Sequence, residues 1–215
     1  DTGSNGGDSA STGAESVAVI DTAALFSDRD LDGSYDESAA VHIQLEGETA
    51  VCDSDAVSID GSRITLLDEG TYLVSGALTD GQIVVDAGDT DKVQIVLAGA
   101  SLTCADSAAI YSKSADKVFL TLAEGTENTL TNGGSYTAID KNNIDSVVFS
   151  KTDLTLNGSG SLTIDAQAGH GVVSKDELTI TGGSYTVTAA EHGMTGKDSL
   201  AVAGGDFTIC LLYTS

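Results

Sequence analysis

The chain of 215 residues has no proline and no tryptophan, and it carries 9 Lys and Arg against 33 Asp and Glu. Each shortage excludes something. A formal charge of -24 argues against nucleic-acid binding, because phosphate contacts need clustered cations. No apolar stretch approaches the roughly 20 residues of a membrane-spanning helix, so no membrane span is expected. Aromatic residues make up 5% of the chain, which leaves Tyr111, Tyr136 and Phe149 as the candidate platforms for stacking on sugar rings. The arginines are Arg29 and Arg63 alone. Cysteines number three, and Cys52 and Cys104 are expected to be separate thiols in different repeats rather than a disulfide.

What is present is β composition. Thr, Val, Ile and Leu occur in runs too short for helices, punctuated by turns such as Asp60-Gly61, Asp80-Gly81 and Asn157-Gly158. Val41 to Leu45 alternates apolar and polar, as in a strand with one buried face. Four strings end in lysine, at Lys113, Lys151, Lys175 and Lys197, and the last three recur at intervals of 24 and 22 residues. Leu154-Thr155-Leu156, Leu178-Thr179-Ile180 and Leu200-Ala201-Val202 follow them in step. A period in the low twenties built from short strands predicts an all-β solenoid whose equivalent residues stack.

Four segments are expected. Residues 1–16 read as a flexible Gly/Ser/Asp tether, the kind of segment that follows a lipid-anchored leader upstream of Asp1. Residues 17–50 read as an N-terminal cap with the first strands, including a helical turn capped by Asp21, and residues 51–209 as the coils. Residues 210–215 break the repeat and match the translation of a sequencing-adapter end, so the solenoid is expected to be truncated, continuing beyond Ile209.

Several constellations carry chemistry. Lys151, Lys175 and Lys197 should stack as a basic stripe, with Lys113 at the same repeat position. The stripe reads either as a track for uronate carboxylates or as a ladder of solvated ion pairs with the acids that follow each lysine. His170 and His192 are equivalent, each followed by Gly, and either line a sugar-binding face, take a metal or simply stack. Tyr111 and Phe149 share a repeat position and should lie close together. Asp28, Asp30, Asp32 and Asp36 match the first half of a calcium loop, although Ala39 stands where the twelfth-position Glu belongs; a solvated acidic turn is the alternative. Asp140, Asn142, Asn143 and Asp145 form a second polar loop, an insertion suited to calcium or sugar.

The series Asp80 to Asp86, Asp91 to Leu97, Ser107 to Tyr111, Glu127 to Thr131, Asp153 to Gly160 and Gly169-His170-Gly171 resembles a bacterial carbohydrate-binding domain-containing family of clostridia and related gut anaerobes. The resemblance covers about Phe26 to Ile209. It implies a right-handed parallel β-helix, similar to pectate lyases, with coils of 22–24 residues. It also implies a calcium-containing, non-catalytic binder of cellulose and acidic plant cell-wall polysaccharide, outside the cell at a bacterial surface. Gly169-His170-Gly171 also resembles a polygalacturonase motif, which makes a hydrolase or lyase the enzyme alternative. The acidic motifs of the hydrolases are missing, however, and a lyase wants an arginine base. A structural adhesin stalk is the remaining reading.

Overall fold

The computed structural model describes residues 25–137 and 139–212. The tether, the turn capped by Asp21 and the last three residues lie outside them.

After the one-turn helix α1 (Asp28–Leu31) come β1 (Val41–Gly47), β2 (Ala50–Val51), β3 (Val57–Asp60), β4 (Arg63–Leu66), β5 (Gly70–Leu78), β6 (Gln82–Asp86) and β7 (Lys92–Cys104). Next are β8 (Ile110–Ser114), β9 (Lys117–Leu122) and β10 (Glu127–Asn132). Three strand triplets finish the chain: β11 (Ser146–Ser150), β12 (Asp153–Gly158), β13 (Ser161–Ala166); β14 (His170–Ser174), β15 (Glu177–Ile180), β16 (Ser184–Ala189); β17 (Met194–Gly196), β18 (Ser199–Val202), β19 (Asp206–Leu211). Cys210 and Leu211 continue the last strand, paired with Thr188 and Ala189.

The repeat in the letters is a repeat in space. Leu154 pairs with Leu178 and Leu178 with Leu200, all in parallel register. Because register is kept, identical rows of side chains face inward: Val93, Val118, Leu154 and Leu178 form one, and Ile95, Leu120, Leu156 and Ile180 another. All eight are buried, and each contributes on the order of 1.5–3 kcal/mol of transfer free energy.

The enclosure differs from the expected right-handed parallel β-helix, and that expectation is corrected here. The strands form a 12-stranded sheet and a 7-stranded sheet. The first is curled into a half-barrel, because β7 is long enough to serve two arms: Lys92 to Leu97 pair with β9, while Ser101 to Cys104 pair with β10. The corner lies at Gly99, whose φ of +78° a side chain rarely adopts. Hydrogen bonding therefore runs through the corner instead of stopping at it. The second sheet is mixed, because its edge is the antiparallel pair β3 and β4, and β1 and β2 add another antiparallel pair to the first. The result is a sandwich-like pairing of two sheets rather than one uniform coil. Periodicity reports which residues stack, and it is blind to whether a corner breaks a sheet.

The two sheets share one large core, with smaller clusters on their outer faces. The cysteines are free thiols.

Candidate functional site

Two segments without strands lie on outer faces. The first, a strap of residues 27–40, crosses the outside of the curled sheet. Ser27 caps α1 reciprocally with Asp30, so the carboxylate of Asp30 turns inward. There it receives Lys117 Nζ at 2.7 Å and Thr155 Oγ1 at 2.5 Å. Its backbone carbonyl accepts from Thr181 Oγ1. Burial alone would raise the Asp30 pKa, but the hydrogen bonds from Lys117, Thr155 and Ser27 together outweigh it and bring the value to about 2. Arg29 lies 4.7 Å from the Phe119 ring centroid, a cation–π contact. Gly33 meets Gly158 so closely that a Cβ on Gly33 would lie 2.9 Å from Gly158 N.

These contacts decide the geometry of the expected calcium loop. Asp30 is occupied by Lys117 and Thr155, while Asp32 accepts from Ser34 N and Asp36 from Ser38 N and Oγ. Asp28 belongs to the first turn of α1. Three of the four carboxylates, those of Asp30, Asp32 and Asp36, are spent on local caps and on the sheet, and among the described residues no three of the four come together within ligand distance.

The second segment, residues 133–137 and 139–145, lies on the outside of the second sheet. Tyr111 and Phe149 face outward from β8 and β11 with ring centroids 5.7 Å apart. They are nevertheless buried, in a cluster with Val84, Val173, Ile144, Tyr136 and Ile139. The sequence pairs the two rings; it does not reveal the lid over them. Tyr111 Oη donates to Asp140 Oδ2 at 2.7 Å and accepts from Asn142 Nδ2 at 2.7 Å. Burial first, then the Asp140 carboxylate, push the phenol pKa up. Asp140 itself is held below its ordinary value, against burial, by Tyr111, Asn142 and Lys113. Asp145 points elsewhere, toward Lys175 Nζ at 3.3 Å, and Asn143 is exposed.

Beside this lid runs the lysine row. Ser112, Ser150, Ser174 and Gly196 pair in register across β8, β11, β14 and β17. The lysines that follow continue the ladder: Lys151 N donates to Ser112 O, Lys175 N to Ser150 O and Lys197 N to Ser174 O. All four stand in one row, including Lys113, because the 38-residue interval between Lys113 and Lys151 is absorbed by the lid. Lys113 Nζ is 2.5 Å from Asp86, and Lys197 Nζ is 3.8 Å from Asp198. Among the described residues, no carboxylate lies within 4 Å of Lys151 Nζ, and this side chain is exposed. Asp153, Asp176 and Asp198 run alongside. Burial, with Asp153 and Asp198 nearby, pushes the Asp176 carboxyl up.

At the Lys113 end the row opens into a cleft of about 210 Å³ lined by Arg63, Thr65, Val84, Asp86, Lys113, Ile139 and Asp140. Arg63 and Asp86 were not singled out as site residues by sequence. They lie outside the clear repeats, and only the pairing of β4 with β6 and β6 with β8 brings them to the row. With Lys141 in the lid, six of the nine cations (Arg63, Lys113, Lys141, Lys151, Lys175 and Lys197) belong to this sheet and its lid. Exposed pairs such as Lys197–Asp198 are worth at most about 1 kcal/mol, so an incoming anion can exchange for them.

The histidines occupy the other end of the same strands. His170 opens β14, and its ring centroid is 4.9 Å from that of His192 one repeat on.

A family model described as "Carbohydrate-binding domain-containing protein" matches residues 60–211. The chain belongs to this carbohydrate-binding domain-containing family. A family relative of that name from Acetivibrio thermocellus is 38% identical over 137 residues, which are 63% of this chain and 48% of the relative. The chain thus spans about half the length of the curated relative it matches. A solved structure of a polysaccharide lyase-like protein from C. thermocellum superposes with a TM-score of 0.72 at 28% identity, covering 79% of this family member and 82% of that chain.

Proposed function

We propose that the chain is a non-catalytic module that binds plant cell-wall polysaccharide outside a bacterial cell, with the polymer laid across the lysine row of the second sheet. The observation that carries this reading is the alignment of Lys113, Lys151, Lys175 and Lys197 on four hydrogen-bonded strands, in a chain otherwise dominated by acid. Neighbouring strands are about 4.8 Å apart, so the row offers a cation at regular steps to a polymer bearing regular carboxylates. The cleft with Arg63 and Asp140 is smaller than the roughly 300–1,000 Å³ of sites that enclose a whole ligand. It suits one ring of a polymer that otherwise lies on the surface.

A binder rather than a catalyst fits the same residues. Three carboxylates along the row, Asp86, Asp145 and Asp198, are paired with lysines, which leaves Asp176, pushed up by burial, and its neighbour Asp153 as the pair a glycoside hydrolase would need, one carboxyl protonated and one free. The buried rings of Tyr111 and Phe149 act through the lid they anchor and not by stacking on sugar.

A net charge of -24 repels an acidic polymer at long range, so calcium bridging is part of the reading. Retention on immobilised polygalacturonate and on cellulose, with and without chelator, tests it. Chelator should abolish the first and leave the second largely intact. Equal loss of both, or release of unsaturated or reducing ends from polygalacturonate, would overturn the reading. No retention on either polymer would favour a structural stalk.

A further inference from the structure

We propose that His170, Glu191 and His192 form a site for one divalent transition-metal cation of the zinc type, independent of the lysine row and of any calcium. The two Nδ1 atoms lie 3.1 Å apart. Two ligands at about 2.0–2.1 Å from a tetrahedral zinc are separated by about 3.3–3.4 Å, so the imidazoles are within a few tenths of an ångström of a chelating bite. Donor atoms of His170, Glu191 and His192 all fall within 4.8 Å of one another, which brings a carboxylate within reach as the third ligand. Two histidines and a carboxylate leave a fourth position open to water or to an oxygen ligand, as in zinc sites that are not closed by protein.

The backbone holds this geometry. Gly171 N donates to His192 O at 3.0 Å and Glu191 N to Gly169 O at 2.8 Å, which locks the two repeats in step. A Cβ on Gly171 would lie 2.5 Å from Gly193 O, so the glycines that follow each histidine let the turns approach closely enough for the rings to meet. His170 is mostly covered, with 15% of its side chain exposed, and Glu191 is open at 60%. Glu191 Oε2 stands 3.5 Å from His170 Nε2, so this exposed carboxylate swings from that edge of the ring to reach an ion held between the two Nδ1 atoms. Ion binding displaces two contacts at 3.1 Å, the hydrogen bond between the two Nδ1 atoms and the one that His192 N donates to His170 Nδ1. That donor is at the surface, where water replaces the acceptor. The surrounding acidic field concentrates any divalent cation near the surface, and borderline-soft imidazole nitrogen selects zinc or copper over calcium.

The test uses the whole chain, freed of metal by chelator and titrated with zinc chloride in a calorimeter, together with ring-nitrogen NMR of its histidines. One saturable equivalent is expected, with the resonances of His170 and His192 shifting and those of the exposed His42 staying in place. His192→Gln should remove that equivalent, and Glu191→Gln should weaken it at least about tenfold. Calcium in excess should not compete. The proposal is overturned if His192→Gln binds as the unaltered chain does, if all three histidines shift alike, if no saturable binding occurs, or if alkylating the accessible Cys52 and Cys210 of the folded chain removes the equivalent. The ring resonances of the unsubstituted protein decide the matter even if a variant fails to fold.

Discussion

The strap on the curled sheet and the lid on the second sheet do the same job with opposite chemistry. Both cover an outer sheet face that would otherwise be solvated. The strap is fixed by a buried carboxylate, Asp30, which takes donors from Ser27, Lys117 and Thr155. The lid is fixed by apolar rings and two neutral hydroxyls, Tyr111 Oη on the Asp140 carboxylate and Tyr136 Oη on Ala168 O, and its other charges stay at the margin where Lys113 and Lys175 meet Asp86 and Asp145. Buried charge in the strap makes an attachment that is costly to open. Exposed charge beside the lid makes one that exchanges with water or a ligand at little cost. The cations divide accordingly, with Arg29 and Lys117 gathered at the strap and Arg63 and the lysine row at the second sheet.

Removing the strap's carboxylate should have the largest effect. Asp30→Ala leaves Lys117 without its partner and Thr155 without an acceptor, and a loss of about 3–5 kcal/mol is expected from breaking a buried pair in this way. Denaturant unfolding measures it. A loss below about 1 kcal/mol would mean that the strap is held by Arg29 and Gly33 instead.

Acid should show the same contact from the other side. The folded-state pKa of Asp30, about 2, lies below the unfolded value near 3.9. The stabilisation is therefore fully present above about pH 5 and is lost as pH falls toward 2. Roughly 2 kcal/mol should disappear over that range. Asp30→Asn should flatten this part of the profile, and an unchanged acid limb in that variant would place the linkage elsewhere.

The contrast also explains which parts were legible in the sequence. Rows such as Leu154, Leu178 and Leu200, and the lysine row, were readable because stacking equivalent residues is what a short period means physically. The closure into two sheets was not, because β7 turns its corner without interrupting its hydrogen bonds, and a glycine at that corner looks like any other turn glycine. Asp28 to Asp36 presented the spacing of a calcium loop, but the fate of Asp30 depends on Lys117 and Thr155, which lie about 90 and 125 residues away. Long-range partners leave no mark in local spacing. Tyr111 and Phe149 were correctly placed side by side, while the lid that buries them comes from an insertion outside the repeat.

On the lid, Tyr111→Phe removes one hydroxyl that donates to Asp140 and accepts from Asn142. The ring still packs on Phe149, so about 1–2 kcal/mol is the expected loss, with hydrogen exchange rising in residues 139–145 ahead of the strands. Global destabilisation without local exchange would contradict the view that the lid is a separate, more easily opened unit.

The smallest change in stability should accompany the largest change in binding. Lys151 is exposed and, among the described residues, has no carboxylate within 4 Å, so Lys151→Ala should shift unfolding by no more than about 0.5 kcal/mol. If the row holds polyuronate, the same substitution takes out a cation in the middle of the track. It should weaken retention on polygalacturonate, and added salt should narrow the difference between variant and parent, since exposed charges are screened within about 10 Å at 0.1 M. Lys92→Ala, which removes an equally exposed lysine paired with Asp116 away from the second sheet, is the control. Equal retention by the two variants would show that overall charge governs binding and that the ordered row does not.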